Sequence, residues 1–310
     1  MKIRLGYVSI SKALDITASK TITYTQFQKD NNYDKIDKII IENLTNLEKI
    51  IDYNIKNNIH FYRLTSNLIP LATLNEVKFD YISKYQHYYD KIAKKIKDNK
   101  LRMDMHPDQF CVLNSTKKEV VTNSINILQY HYLIMEALKI ENKILILHVG
   151  SSVLGKKNSI TRFIHNFKKL PIHLQKCIAI ENDDKVYTVV DCLELCKILH
   201  IPMILDYHHH ICNSDNINIS NYLQDIFSSW EGTPKVHFSS PKNHTKKEFR
   251  SHHDYIDIHD FINFLNIVKP LNIDLDIMIE AKAKDDALFR LVRQLKYYQY
   301  HFIDDTTFEI

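Results

Sequence analysis

Three runs between residues 144 and 207 decide the fold: Ile144-Leu145-Ile146-Leu147-His148-Val149, Cys177-Ile178-Ala179-Ile180-Glu181-Asn182 and Pro202-Met203-Ile204-Leu205-Asp206-Tyr207. Each is short and almost wholly apolar, and each reaches a residue able to bind a proton or a metal. Continuous apolar runs of this length read as parallel strands covered on both faces. The segments between them, Ser159–Lys169 and Thr188–Leu199, carry apolar residues three and four apart and read as amphipathic helices. Outward from this core the alternation continues. Further strands are expected at Ile3–Val8, His60–Thr65, Leu101–His106, Lys235–Ser239 and Leu275–Glu280. Further helices are expected at Asp34–Asn57, Phe79–Lys97, Glu119–Lys139, Tyr222–Trp230, Ile258–Val268 and Asp285–Tyr298. Eight strand–helix units predict an α/β fold, a (β/α)8 TIM barrel with residues 1–310 as a single domain. A doubly wound open sheet is the runner-up, but no GxGxxG follows the first strand.

The bulk composition is that of an ordinary globular chain: 310 residues, 45% hydrophobic, 25% charged, net charge +4. That charge is too small to establish a nucleic-acid partner by itself, so any DNA contact has to come from a local basic face. No apolar run is long enough for a transmembrane helix. The start, Met1-Lys2-Ile3-Arg4, lacks the apolar core of a secretion signal. The five cysteines are odd in number and form no CxxC pair, which reads as reduced thiols. The expectation is a cytoplasmic monomer with no membrane partner. The 17 histidines are the anomaly.

In a barrel of this kind functional groups belong at the C-terminal ends of strands. Here those ends carry His106, His148, Glu181, Asp206 with His208-His209-His210, His237 and Glu280. A neighbour could satisfy any one of them. Six converging together repel and desolvate one another unless cations lie between them. Mixed imidazole and carboxylate donors suit manganese, zinc or iron, and their number calls for two or three ions. Such a cluster clamps a phosphodiester and activates a water molecule. Lys235 shares a strand face with His237, so its ammonium must meet a phosphate or a carboxylate, or be chemically modified. Alternation along the strand does not choose among His208, His209 and His210. Basic residues follow strand four (Lys156, Lys157, Arg162) and strand seven (Lys242, His244, Lys246, Lys247, Arg250, His252, His253), in position to face a phosphate backbone. After strand three, Gln109-Phe110 is a candidate base probe.

These residues, in this order, resemble the UV damage endonucleases, barrel nucleases related to certain abasic-site endonucleases and to xylose isomerases. The resemblance runs through Leu5-Gly6-Tyr7-Val8-Ser9, Ser19-Lys20-Thr21, Tyr62-Arg63-Leu64-Thr65-Ser66, His106-Pro107-Asp108-Gln109-Phe110 and Ile180-Glu181-Asn182-Asp183-Asp184-Lys185. It continues through Asp206-Tyr207-His208-His209, Pro234-Lys235-Val236-His237-Phe238-Ser239-Ser240-Pro241-Lys242, Arg250-Ser251-His252-His253-Asp254-Tyr255 and Met278-Ile279-Glu280-Ala281-Lys282. It implies a metal-dependent repair hydrolase that nicks double-stranded DNA immediately 5′ to ultraviolet photoproducts (cyclobutane pyrimidine dimers and 6-4 photoproducts), with abasic sites as a further substrate. The implied metal ligands are His106, His148, Glu181, Asp206, His209, His237, His252 and Glu280, holding two to three divalent ions. Manganese is the first expectation, with magnesium, zinc or cobalt as alternatives. Glu181, Lys235 and Glu280 are implied in catalysis, with Lys235 open to N6-carboxylation. Tyr7, Gln109 and Phe110 are implied at the lesion, and Lys242 and Arg250 on the DNA. One departure stands out: the family pattern has a histidine in the loop after strand two, where this chain has Leu74. The competing functions are a sugar isomerase or epimerase on the same barrel and a lesion-binding protein with weakened catalysis.

Overall fold

A computed structural model describes residues 1–30, 33–74 and 76–310. The eight expected strands are all present: β1 (Lys2–Val8), β2 (Phe61–Leu64), β3 (Arg102–Met105), β4 (Leu145–His148), β5 (Ile178–Glu181), β6 (Met203–Asp206), β7 (Lys235–Phe238) and β8 (Leu275–Ile279). They pair in parallel in chain order, and β8 and β2 both pair with β1 to close the barrel. The helices are α1 (Tyr24–Asp30), α2 (Tyr33–Lys56), α3 (Gln86–Asp98), α4 (Lys118–Ala137), α5 (Lys156–Phe167), α6 (Ile172–Gln175), α7 (Val189–Leu199), α8 (Tyr207–Cys212), α9 (Leu223–Ser228), α10 (Ile258–Val268) and α11 (Lys284–Tyr297). Among the described residues no helix is long and apolar enough to cross a membrane.

Local chemistry explains where the elements begin. The stripe expected on α2 is the one buried: Ile36, Ile40, Leu44, Leu47, Ile50 and Ile51. Thr188 caps α7 through a reciprocal box with Asp191, which satisfies amides that the helix leaves unpaired. The third helix, α3, starts later than its periodicity suggests. Asp80 takes the amides of Ile82 and Ser83 at 3.0 and 2.8 Å, forming a turn ahead of Gln86.

Two features were not expected. A short C-terminal hairpin, β9 (His301–Phe302) and β10 (Thr307–Glu309), runs antiparallel to β1 over Lys2, Ile3 and Arg4. The direct pairing of β1 with β2 is confined to Tyr7 and Val8, so the hairpin covers the lower part of that seam. The other is an interior divided by chemistry. Ile146, Ala179 and Ile204, from β4 to β6, form an apolar cluster. Facing inward from the remaining strands are Arg63, Asp104, Lys235 and Asp276. Asp276 is held by Arg4 at 2.6 Å and by Arg102. Gly6 leaves room for Phe61, since a Cβ there would meet the Phe61 carbonyl oxygen at 2.6 Å and its ring at 2.7 Å.

Candidate metal centre

The parity of the strands aims each expected ligand up the barrel axis towards the rim. His106 follows β3, His148 ends β4, Glu181 ends β5, Asp206 ends β6, His237 lies in β7 and Glu280 follows β8. Their donor atoms fall into three groups, each within 4.8 Å: His106, His148 and Glu181; Glu181, Asp206 and His209; Asp206, His237 and Glu280. Glu181 belongs to the first two and Asp206 to the last two, so two carboxylates link three adjoining positions.

Glu181 is the hub. One carboxylate oxygen lies 3.0 Å from His106 Nε2 and 3.8 Å from His148 Nε2; the other lies 2.9 Å from His237 Nδ1 and 3.5 Å from His209 Nδ1. Burial opposes its ionisation, but His237 and His148, with hydrogen bonds from His106 and His237, hold the carboxyl well below the usual range. His237 is driven down to about 4 by burial in spite of Glu181, and His148 is also lowered by burial. Asp206 is pushed up to about 8 by burial and by the facing carboxylates of Glu181 and Glu280, against the pull of His209. His209, although buried, is raised to about 9 by Asp206 and Glu181. Asp206 and His209 thus form a pair that holds a proton between them, which a bound cation would compete for.

The donors fit divalent cations. His106 Nδ1 is 2.9 Å from the Pro107 carbonyl, which can only accept, so the neutral form of His106 turns the lone pair of Nε2 towards the Glu181 carboxylate 3.0 Å away. Two acceptors at that distance require a proton or a metal between them. Asp206 Oδ2 and His148 Nδ1 are buried with no hydrogen-bond partner among the described residues.

The run of three histidines is resolved by a helical turn. Asp206 caps α8 by accepting from the His209 amide at 2.7 Å. Asn182 then fixes that turn: its side chain donates to the Asp206 carbonyl and accepts from the Asp206 amide, both at 2.9 Å, and its own carbonyl takes His209 Nδ1 at 3.0 Å. His209 therefore enters the site. His208 turns towards Cys212, Phe249 and His252, and His210 is buried beside Tyr207. His252 stands outside the three groups, its ring 6.1 Å from that of His209.

Below the centre lies a charged layer in which Lys235 was expected from the sequence and Arg63 and Asp104 were not. Arg63 donates to Glu280, to Asp104 at 3.3 Å and to His237 Nε2. Glu280, half-buried, is kept ionised by Arg63 and His237 in spite of its desolvation. The Lys235 ammonium is fully buried, paired with Asp104 and 5.8 Å from the centroid of the Phe61 ring. Asp104 is thus the carboxylate that the buried lysine required. Burial lowers Lys235 to about 8, against Asp104.

The remaining expected positions divide. Gln109 and Phe110 are exposed at the rim, with Phe110 69% open. Lys242 and Arg250 are also exposed, Lys242 paired with Glu248 and Arg250 3.7 Å from Asp184. Tyr7 differs from the expectation that it lines a lesion pocket. It points outward from β1, is wholly buried against the helical layer and donates to Asn54 of α2 at 2.8 Å, so it offers no surface to a duplex. Leu74 packs against the apolar core, where a histidine would need a polar partner.

Fold and site together define a TIM-barrel protein with a carboxylate-linked, histidine-rich cluster at the C-terminal mouth whose donors could hold metal ions. Residues 3–307 match the family model described as UV-endonuclease UvdE. The chain is 43% identical over 303 residues to the UV DNA damage endonuclease of Bacillus cereus strain B4264, with 95% of each chain covered. It is 42% identical to that of Bacillus anthracis over the same length. The crystal structure of SacUVDE superposes with a TM-score of 0.88 at 35% identity, covering 96% of this chain and 99% of that one. Endonuclease IV from Thermus thermophilus (11% identity, TM-score 0.57, 95% and 99% covered) shares the fold. So does an L-ribulose 3-epimerase (13%, 0.55, 98% and 90%). The chain belongs to the UV-endonuclease UvdE family.

Proposed function

We propose that this protein is a divalent-metal-dependent nuclease that hydrolyses one phosphodiester of duplex DNA immediately 5′ to an ultraviolet photoproduct, acting as a monomer. The observation that carries the reading is the set of three adjoining donor groups joined through Glu181 and Asp206 at the barrel mouth, next to the exposed Gln109-Phe110 tip. When bound, two or three divalent ions, manganese first among them, supply electrophilic stabilisation of the phosphodiester and an activated water.

The chain's own groups prepare that chemistry. Glu181 is held ionised between imidazoles, ready to link two cation positions. His106 is oriented by the Pro107 carbonyl with Nε2 inward, and Asn182 holds Asp206 and His209 in register. Arg63 fixes Glu280 from below. Gln109 and Phe110 are placed to probe base stacking, which a photodimer already weakens. Lys242 and Arg250 are placed towards the backbone. Lys235 acts through Asp104 as a cation beneath the ligands, and N6-carboxylation would exchange that pairing for a second negative charge.

The test is incision of an end-labelled duplex carrying one defined photodimer, with Mn²⁺. A single cut at the phosphodiester 5′ to the dimer, leaving a 3′-hydroxyl and lost in EDTA, is expected. The Glu181→Gln protein should bind the same duplex yet nick it at least ~100-fold more slowly, in the range for loss of a key catalytic carboxylate. An uncut duplex across Mn²⁺, Mg²⁺, Zn²⁺ and Co²⁺ would refute the reading, and turnover of a ketose would favour an epimerase instead.

A further inference from the structure

Among the exposed large apolar side chains, three lie on two neighbouring rim loops: Phe110 (69% open) after β3, and Val153 (54%) and Leu154 (71%) after β4. Scattered apolar residues on a surface are ordinary. This pair is not scattered, because its loop is stapled to the loop of Phe110. The Asn114 side chain accepts from the Ser151 amide at 2.9 Å and donates to the Ser151 carbonyl at 2.6 Å. A Cβ at Gly150 would come within 2.9 Å of Val112, so the two loops are in contact.

The tip is also rigid. Arg162 donates to the carbonyls of Asn114 and Val153, Ser159 donates to the Val153 carbonyl at 3.0 Å, and Asn158 donates to the Leu154 carbonyl at 2.8 Å. The Val153 amide is taken by Ser151 Oγ at 3.1 Å. Leu154 is held at φ 65°, a left-handed conformation unfavourable for leucine. Anchoring of this kind normally serves to bury a side chain. Here it holds two aliphatic side chains out into solvent, five and six residues beyond His148, with the exposed Lys157 close behind.

We infer that Val153 and Leu154 form a second apolar wedge, which enters the base stack of the DNA duplex alongside Phe110. This rests on the endonuclease reading above. Aliphatic side chains inserted between base steps unstack and kink a duplex, and a step weakened by damage yields at the lowest cost. Rigidity suits a wedge, because a mobile tip would lose conformational freedom on insertion. The Asn114–Ser151 bridge holds the two loops together, which would let both tips act on one locus.

The test uses the metal-loaded full chain under single-turnover conditions, with photodimer duplex as substrate and undamaged duplex as competitor. In the double variant Val153→Ser/Leu154→Ser, the enzyme concentration for half-maximal incision should rise at least about tenfold, the lower bound for exposing two aliphatic side chains that insertion would cover. Maximal rate, competitor inhibition, metal content and melting temperature should stay within twofold or unchanged. Val153→Ile/Leu154→Met should behave as wild type. Unchanged half-saturation in the serine variant, or equal weakening towards damaged and undamaged duplex, would overturn the wedge. Failure of the wild-type protein to cut the photodimer duplex would overturn the endonuclease reading and the wedge with it, so the wild-type control separates the two failures.

Discussion

Replacing Asp104 by Asn should expose how the charged interior of the barrel is held together. Asp104 and Lys235 are both fully buried and paired, and Arg63 reaches the same carboxylate at 3.3 Å. Deleting the negative partner strands the ammonium, and to a lesser degree the guanidinium, in a site closed to water. Breaking a buried pair in this way costs about 3–5 kcal/mol. The lysine carries a second signature. Burial already brings it from 10.5 to about 8 while Asp104 pulls the other way, so losing Asp104 lowers it further. The folded variant then holds that proton less tightly than the unfolded chain does. Above the folded pKa the unfolded state binds more protons, so stability must rise with pH. Urea unfolding in EDTA, which removes any contribution from bound metal, should show a deficit that narrows as pH rises towards about 8 and levels off above it, where the wild-type lysine loses its own proton. Combining Asp104→Leu with Lys235→Met should recover all but about 1–2 kcal/mol, because the uncompensated charge is gone. A loss below about 1 kcal/mol in Asp104→Asn, or a deficit that ignores pH, would refute this account.

Gly6→Ala should destabilise by about 1–3 kcal/mol in chemical denaturation, because the new methyl group would meet the Phe61 carbonyl and ring below 3 Å; a neutral result would mean that β2 shifts freely. Burial lowers His131 from 6.5 to about 4, its Nδ1 donating to the Ile127 carbonyl at 2.7 Å. A depressed histidine contributes stability that is complete above 6.5 and lost as pH falls towards 4. Wild type should therefore lose about 2 kcal/mol more than His131→Gln between about pH 7.5 and about pH 5 in urea melts, and parallel losses would argue against a neutral buried imidazole.

The barrel was legible because burial on both faces forces its strands into unbroken apolar runs, and the ends of those runs placed His106, His148, Glu181, Asp206, His237 and Glu280 on one rim. What escaped notice has physical reasons. The hairpin strands His301–Phe302 and Thr307–Glu309 are too short and too polar to show a period. Helix Tyr207–Cys212 is a bare turn and a half, so only its Asp206 cap could have announced it. Asp104 was within reach: it precedes His106 by two residues, and the parity that turned Lys235 inward turns Asp104 inward as well. Arg63 stands at the same inward parity on its own strand. Tyr7 shows the opposite limit, since a match to a family motif carries no information about which side of the strand the ring occupies.

The way Asp206 starts a helix has a consequence for how this protein can vary. An α-helix advances about 100° per residue, so three consecutive imidazoles in that turn face three different surroundings, and only the middle one joins the donor groups at the barrel mouth. Losing or gaining one residue there would swing a neighbour into its place while leaving the count of histidines, and most of the alignment, looking intact. Divergent relatives should accordingly tolerate changed side chains at His208 and His210 far more readily than any change of length between Asp206 and His209.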